Sequence, residues 1–312
     1  MFEVIPYSPS DACLWNSFVE HSRQGTFLFN RGYMDYHSDR FSDCSLMFRR
    51  KGRICAVLPA NRRGDILFSH QGLTYGGLLT DDRIKTADVK DIFQTLNEWL
   101  YSKGIRHVIY KAIPWIYHHI PAEEDLYALV HVCKARLSVR EISSTIILSN
   151  RLKFEESRRS GIRKAKRMAV SCKESDDIST FWHILDKNLE TKYHTPPVHS
   201  LKELELLYSR FPDKIKLFMA YKEEKPVGGT IIFDTGQVVH TQYISASPEG
   251  KSEGALDLLF DHIINDVYAD RCIFDFGKST EEAGTYLNNN LIFQKEGFGG
   301  RGVCYDTYEY DL

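Results

Sequence analysis

The chain has 312 residues, a formal net charge of −2, 43% apolar residues and 26% charged residues. This composition is typical of a globular protein and excludes a disordered chain, and the near-zero charge argues against a general attraction to DNA or to a membrane surface. No run of 18 apolar residues occurs, and the first residues lack an apolar stretch, so neither a membrane span nor a secretory signal is predicted. The seven cysteines lie far apart without a CxxC pair, which predicts reduced core thiols, a cytoplasmic location and no metal site.

Hydrophobic periodicity predicts an alternation of helices and strands in the first half of the chain, residues 1–150. The predicted elements are, in order, a helix around Leu14 and Phe18, strands at 45–49, 54–60 and 66–69, a loop with Gly72, Gly76 and Gly77, a helix at 89–100, and strands at 107–110 and 141–148.

The second half, residues 151–312, repeats this order of patterns. The predicted elements are, in order, a basic linker helix at 151–173, helices at 178–189 and 201–207, strands at 215–219, 227–233 and 238–245, a loop at 247–254, a helix at 256–267, a strand at 272–276, a helix at 281–291 and a strand at 305–310. Because order and lengths agree, we interpret the chain as an internal duplication with one domain in each half. Two unrelated α/β segments are the alternative.

The basic linker has the largest local charge in the chain, with eight Lys or Arg and two Glu between Arg151 and Arg167. One interpretation is a solvated helix face. The other is a positive rim for a phosphate-bearing ligand, formed by Arg159, Arg163, Lys164 and Arg167.

The segment SPEGKSEG, Ser247–Gly254, joins a predicted strand to a predicted helix and has the features of an anion site. Backbone N–H groups at the start of a helix lie at its positive end and attract anions. Gly250 and Gly254 would allow a ligand to approach the backbone closely, and Lys251 and Ser252 would add a charge and a hydroxyl donor. The alternative is a simple turn.

Several segments of the second half resemble the GNAT acyltransferases. The run Lys251-Ser-Glu-Gly254-Ala255 resembles the pyrophosphate loop of that family, (Q/R)xxGx(G/A), with Lys251 in place of Gln or Arg and Leu256 in place of the small residue. LIFQKEGF, residues 291–298, resembles the closing YxKxGF segment. SRRSGIRKAKRMAV, HTQYISAS, FDFGKSTEE and QKEGFGGR together are similar to tandem-GNAT proteins, which include the Fem-type aminoacyltransferases and the BioF2-like acetyltransferases.

The resemblance implies an α+β chain with a tandem duplication of the GNAT fold, in which each half is a mixed, mostly antiparallel sheet flanked by helices. Residues 1–150 would be a degenerate domain without a donor-loop signature, and residues 151–312 would be the donor-binding and catalytic domain. The implied donor is acetyl-CoA or another acyl-CoA, without a metal. Its phosphates would be held by Gly250, Lys251, Ser252, Gly254 and Ala255.

The implied reaction is the attack of an amine or hydroxyl on a thioester or ester carbonyl, which needs a proton acceptor and a group that stabilises the developing oxyanion. In the GNAT fold the strand before the donor loop splays from its neighbour. Here that strand carries His240, a candidate proton acceptor, and Tyr243, a candidate proton donor to the leaving thiolate. Asp275 lies at the carboxyl end of a predicted buried strand, where an unpaired carboxylate is costly, and is a candidate base or orienting residue. A turn aspartate beside Gly277 is the alternative.

The implied acceptor is a phosphate-linked precursor, such as a cell-envelope or polysaccharide intermediate. Lys278, Lys295 and Arg301, together with the basic linker residues, are candidates for binding its phosphate. Aminoacyl transfer from tRNA is the alternative, although the long helical arm of the Fem-type enzymes is not visible as a heptad-rich insertion. A non-catalytic ligand-binding or interaction module is the alternative of another class, because the donor loop departs from the family pattern.

Overall fold

The computed structural model describes residues 2–193 and 197–312. The helices within these ranges are α1 (Ala12–Glu20), α2 (Arg31–Met34), α3 (Thr86–Ser102), α4 (Glu124–His131), α5 (Glu156–Arg167), α6 (Ile178–Tyr193), α7 (Leu201–Arg210), α8 (Pro248–Glu253), α9 (Ala255–His262) and α10 (Asn289–Gly297). The strands are β1 (Glu3–Pro6), β2 (Ser42–Asp43), β3 (Leu46–Arg50), β4 (Arg53–Leu58), β5 (Asn61–Arg63), β6 (Ile66–Phe68), β7 (Leu79–Thr80), β8 (His107–Lys111), β9 (Arg136–Ile147), β10 (Val170–Ser175), β11 (Ile215–Lys222), β12 (Lys225–Asp234), β13 (Val238–Ala246), β14 (Ile273–Lys278), β15 (Thr280–Glu281), β16 (Tyr286–Leu287) and β17 (Arg301–Asp311).

The chain forms two compact units that are not its two contiguous halves. Unit 1 contains the chain up to Glu141 together with residues 282–286 and 304–312, and unit 2 contains residues 142–281 and 287–303. This division differs from the sequence-based division at residue 150, because most of β17 lies in unit 1. Its residues Thr307–Asp311 pair antiparallel with β8. A hydrophobic pattern predicts a strand but does not show which distant strand it pairs with.

Unit 1 has one sheet with the order β1-β3-β4-β7 and further strands arranged around β8. The apolar face of α3, with Val89, Ile92, Phe93, Leu96 and Leu100, is buried in the core of this unit. Strands β6 and β8 pair in parallel over three residues only.

Beyond these three paired positions, the glycine-rich loop of unit 1 lies between β6 and β8. Gly76 N donates to the Lys111 carbonyl at 3.0 Å, and the Lys111 ammonium donates to the carbonyls of Gln71 and Leu73. The glycine-rich loop therefore occupies the space between these two strands.

Unit 2 contains a sheet with the order β10-β11-β12-β13-β14-β9. All neighbours are antiparallel except β13 and β14, which are parallel. The α6 helix packs on β12 and β13, and α9 packs on α5 and on β10 to β12. The predicted mixed, mostly antiparallel sheet with flanking helices is thus confirmed.

Two predictions at helix boundaries of unit 2 are wrong. The segment predicted as a loop at 247–254 contains α8, because the Ser247 hydroxyl accepts from Gly250 N at 3.1 Å and Pro248 occupies the first helical position. Both are helix-start signals. The linker helix predicted at 151–173 ends at Arg167 as α5, and Val170 begins β10, which pairs with β11.

The helix predicted at 281–291 is also displaced. It begins at Asn289 as α10, because the side chain of Asn288 accepts from Leu291 N at 3.0 Å and caps the helix there. The residues before it form the short strands β15 and β16 instead.

The seven cysteines are thiols without disulfide partners. Only Cys55 and Cys133 are fully buried, whereas Cys13, Cys272 and Cys304 are exposed, so the prediction of core thiols is wrong for these three. Among the described residues, no helix combines the length and apolar character needed to cross a bilayer.

Candidate active site

Strands β13 and β14 diverge in the middle of unit 2. They pair at three positions only, of which His240 opposite Asp275 is the last, although β13 continues to Ala246. On its other side, β13 carries a β-bulge: Ile231 and Ile232 of β12 face Tyr243 and Thr241, so Gln242 is an extra residue. A bulge bends the strand and breaks the alternation of side chains that the sequence predicts for residues 240–243.

A cavity of about 180 Å³ lies beside the diverging ends of these strands. Its walls come from β13, β14, α6, α8, α9 and α10 and are largely apolar, with two lysines. The lining residues are Leu185, Asn188, Leu189, Ile244, Ser245, Ala246, Lys251, Leu256, Phe260, Phe276, Leu291, Gln294, Lys295 and Phe298. Such a slot suits an extended, mostly apolar chain that carries one reactive carbonyl.

The Asp275 side chain is completely buried. Its Oδ2 lies 2.8 Å from Nδ1 of His240, and its Oδ1 accepts from the hydroxyls of Thr145, at 3.0 Å, and Ser143. These donors offset the cost of a buried carboxylate in a strand. Because the carboxylate accepts at Nδ1, the imidazole carries its proton there, and Nε2 is the atom that accepts a proton. The geometry therefore pairs His240 with Asp275, and it excludes the turn-aspartate reading because Asp275 lies within β14.

Lys295 reaches the same region from α10. It is 4% exposed, and its ammonium donates to the carbonyls of Gly277, at 2.8 Å, and Lys278, at 2.7 Å, at the end of β14. Burial lowers the pKa of Lys295 to about 8, and the Asp275 carboxylate opposes part of this effect. The sequence-based expectation placed Lys295 at a phosphate, whereas the structure places it in the wall of the apolar cavity.

The Tyr243 side chain contacts α6 and the segment that precedes α7. Its hydroxyl lies 2.6 Å from Nδ1 of His199, which precedes α7, and its ring packs edge-on against Trp182. Burial raises the pKa of Tyr243 to about 12. His199 was missed in the sequence, because a histidine between two helices carries no pattern that pairs it with a strand residue.

The glycines of the expected donor loop approach protein backbone. A Cβ on Gly250 would lie 2.2 Å from the Val227 carbonyl oxygen, so this glycine packs α8 against β12. Gly254 has a φ of +76° and would place a Cβ 2.5 Å from the Gly161 carbonyl oxygen of α5. From the sequence we expected a ligand to lie against both glycines. In the structure, protein backbone lies against each of them.

The remaining donor-loop candidates also contact other parts of the protein. Lys251 donates to the side-chain oxygen of Asn188, and the Ser252 hydroxyl donates to the Glu249 carbonyl. The Ala255 side chain is buried in the core beneath α9. The backbone N–H of Ala255 lies at the first position of α9, where a ligand could use it.

A surface depression of about 340 Å³ lies at the N-terminus of α9, where Gly254 offers no side-chain cap. Arg158 and Lys251 are the cations among its lining residues. Arg158 pairs with Asp257 at 2.6 Å, and its Nε is buried without a hydrogen-bond partner among the described residues. A cation and uncapped N–H groups at one helix end are the features of an anion site.

Arg158 was missed in the sequence, although a signal was present. It lies on the same helix face as the buried Ile162 and Ala165, which follow it at four and seven positions along the apolar stripe. It is therefore the basic residue of this segment that turns inward, whereas the basic residues selected from the sequence point to solvent.

Those selected residues form the exposed face of α5. The guanidinium groups of Arg159 and Arg163 pair with Glu156, and Lys164 and Arg167 are exposed. None of the four lines a cavity described above. Their positions agree with the interpretation of this segment as a helix with a solvated basic face.

The last two phosphate candidates are also separated from the cavity wall. Lys278 is half-buried and supplies a carbonyl to Lys295. Arg301 is exposed and donates to the neighbouring Gly300 carbonyl. Among the described residues, no group of three or more His, Cys, Asp or Glu side chains is arranged to hold a metal ion.

Residues 153–285 match the family model of the acetyltransferase (GNAT) domain. Three solved structures share the fold of the chain: FemX (TM-score 0.69, 11% identity, 99% of this chain and 97% of that chain), the C-terminal domain of a putative lysylphosphatidylglycerol synthetase from Agrobacterium fabrum (0.61, 12%, 97% and 92%), and a tandem GNAT protein from the clavulanic acid biosynthesis pathway (0.53, 10%, 100% and 98%). A search of curated proteins found no sequence match.

These comparisons confirm the resemblance and the fold class predicted from the sequence. The likeness to the three structures extends over nearly the whole chain. It includes the first half, for which the sequence indicated only a similar order of helices and strands. The chain carries a GNAT acetyltransferase domain over residues 153–285 and shares the fold of a tandem GNAT protein over its length, which supports a GNAT-type acyltransferase.

Proposed function

We propose that the chain transfers an acyl group, in the first instance acetyl from acetyl-CoA, to an amine or hydroxyl of a phosphate-linked precursor such as a cell-envelope or polysaccharide intermediate. One observation carries this proposal: β13 and β14 diverge directly after the His240–Asp275 pair, and the following residues Ile244–Ala246 and Phe276 of these strands line an apolar cavity. A fold of this kind serves many functions, so the proposal rests on these residues and on the lysine in the cavity wall.

The donor phosphates are proposed to bind in the depression at the start of α9. The uncapped N–H groups of its first turn, Arg158 and Lys251 supply the positive field. Asp257 opposes this field, since its carboxylate lies in the same turn and already neutralises part of Arg158. The acyl-bearing arm then lies along residues 244–246 of β13 in the cavity.

The transfer needs one proton acceptor and one proton donor. The attacking nitrogen or oxygen bonds to the thioester carbon and gives its proton to Nε2 of His240, which Asp275 holds in the required tautomer. The carbon–sulfur bond then breaks, and the leaving thiolate takes a proton from the Lys295 ammonium. A donor with a pKa of about 8 is well matched to a thiol, whose ordinary pKa is about 8.5.

The first test is binding of acetyl-CoA, measured by thermal shift and calorimetry. A donor present at about 100 times its Kd should stabilise the protein by about 2.7 kcal/mol. Arg158→Ala should weaken binding, whereas Lys166→Ala, which removes an exposed charge from the same helix, should not. Equal binding by both variants would place the donor phosphates elsewhere.

Aminoacyl transfer from tRNA, which the resemblance to the Fem-type enzymes implies, is the second candidate, and the fold shared with FemX covers 99% of the chain. The exposed cations of α5 would then contact the tRNA backbone, and binding would fall steeply with salt. Six phosphate contacts give a log–log slope near about −5, and two or three give about −2 to −3. The Arg163→Ala/Lys164→Ala double variant should reduce the slope only if these residues touch phosphates.

A ligand-binding module without catalysis is the candidate of another class. The observation behind it is that Gly250 and Gly254 accommodate protein backbone. Stabilisation by a polyanion but by no CoA thioester would favour this class over a transferase.

A further inference from the structure

Unit 1 holds a cavity of about 370 Å³ that has no role in the proposed transfer. The residues around α2 and the glycine-rich loop that begins near His70 meet there. The rings of His37 and His70 stack at a centroid distance of 5.1 Å with an angle of 17°. A Cβ on Gly72 would lie 2.1 Å from Nε2 of His37, so the loop needs glycine at this position for the histidine to pack.

Arg31 forms a fixed polar element in this cavity. It is 5% exposed, its guanidinium lies 3.8 Å above the ring of Tyr7, and it donates to the carboxylates of Asp35 and Asp43. The two aspartates are themselves partly exposed in the cavity, at 43% and 32%. Their remaining lone pairs can accept hydrogen bonds from a ligand.

The buried side chain of His70 is a second, independent observation that points to a bound ligand. It is 3% exposed, it lines the cavity, and its Nδ1 has no hydrogen-bond partner among the described residues. Its φ of +68° lies in the left-handed region, which is uncommon for a residue other than glycine. Burial lowers the pKa of His70 to about 3, so the imidazole is neutral near pH 7 and can either donate or accept. Strained residues with unmet hydrogen bonds are concentrated at binding sites.

The charged residues that line the cavity indicate which class of ligand it binds. Apart from its two histidines, the charged residues that line the cavity are Arg31 and two aspartates, so the carboxylates outnumber the guanidinium and the wall is rich in acceptors. Phosphates and nucleotides are disfavoured by this balance, whereas a ligand with many hydroxyl donors matches it. Met34 and Phe41 provide an apolar wall, as is usual beside a few placed polar groups.

We propose that this cavity of unit 1 binds a hydroxyl-rich saccharide, uncharged or carrying an amine, whose hydroxyls donate to Asp35 and Asp43 and whose next polar group pairs with the buried His70 imidazole. The inference does not depend on the acyl-transfer proposal, because every residue in it belongs to unit 1. The site would fix the sugar portion of a glycan on the chain whether or not unit 2 transfers an acyl group.

The test is calorimetric titration of the full chain with the methyl glycosides of glucose, galactose, N-acetylglucosamine and glucosamine, and with glucose 6-phosphate and UDP as anionic probes. At least one glycoside should bind, and more tightly than either anion. Asp35→Asn should weaken that binding about fivefold to tenfold, since one charge-assisted hydrogen bond becomes neutral. Asp39→Asn removes a nearby exposed acid that does not line the cavity and should leave binding unchanged.

His70→Gly tests the buried imidazole, because glycine adopts the same backbone conformation without strain. It should abolish glycoside binding while the circular dichroism spectrum stays that of a folded protein. If it unfolds, the Asp35→Asn and Asp39→Asn pair still decides. No binding of any glycoside at millimolar concentration, or tighter binding of UDP that Asp35→Asn strengthens, would overturn the inference. Acetyl-CoA binding measured on the same samples separates this result from the fate of the transfer proposal.

Discussion

The buried carboxyl of Asp125 gives a prediction of stability whose size follows from the structure. Asp125 is 8% exposed in α4, and its Oδ2 accepts from the Tyr110 hydroxyl at 2.6 Å. Burial raises its pKa from 3.8 to about 6. A carboxyl with a raised pKa in the folded state stabilises the protein fully below pH 3.8, and this contribution is lost as the pH rises to about 6. A shift of about two units corresponds to about 3 kcal/mol.

Asp125→Asn should remove this pH-dependent loss of stability, because an amide does not ionise. The amide cannot satisfy both the Tyr110 hydroxyl and Leu126 N, which donate to the two carboxylate oxygens, so the variant loses about 1 kcal/mol of hydrogen bonding at every pH. It should therefore be about 1 kcal/mol less stable than wild type at pH 3.5 and about 2 kcal/mol more stable at pH 7.5. Urea denaturation of both proteins across this range gives the difference, in which other titrating groups cancel. A difference that does not change with pH would refute the reasoning.

Three further predictions concern unit 2. Asp275→Asn should slow thiol release from acetyl-CoA about 10²–10⁴-fold; full turnover with a lower melting temperature would show that Asp275 has a structural role only. Wild-type activity should fall as the pH rises through about 8, where Lys295 loses its proton, and Lys295→Arg should move this limb of the pH–rate profile upward; an unmoved limb would remove Lys295 from the proton transfer. Gly254→Val should lower the free energy of unfolding, measured in urea, by at least about 2 kcal/mol, because residue 254 has a φ of +76° and a Cβ there would meet the Gly161 carbonyl. A stable variant that no longer binds CoA would instead show that glycine is needed at this position for the ligand to approach the backbone.

The sequence predicted the elements of unit 2 well where periodicity is strong. The buried face of α6, with Phe181, Trp182 and Leu185, and the strands from Ile215 to Ala246 follow spacing alone. The errors lie at segments without periodicity, where a single cap decides the boundary, as Asn288 does for α10. Capping signals of this kind are local and were present in the sequence.

The candidate site was less predictable, because its chemistry depends on which strands are neighbours. Asp275 and His240 were each selected from their own strands, but only the parallel register of β13 and β14 brings them within 2.8 Å. Lys295 was selected for its charge, and its burial could not be read from a glycine-rich segment. The exposed arginines of α5 were selected for the same reason, whereas Arg158 is the one that turns toward α9.

Hydrogen–deuterium exchange of the full chain with and without acetyl-CoA tests the central claim, that the divergence of β13 and β14 holds the acyl donor. We expect protection of the amides of residues 244–246, along the cavity, and of residues 255–258, at the start of α9. Binding of acetyl-CoA that leaves these amides unchanged and protects other parts of the described chain, or no binding at all, would contradict the account.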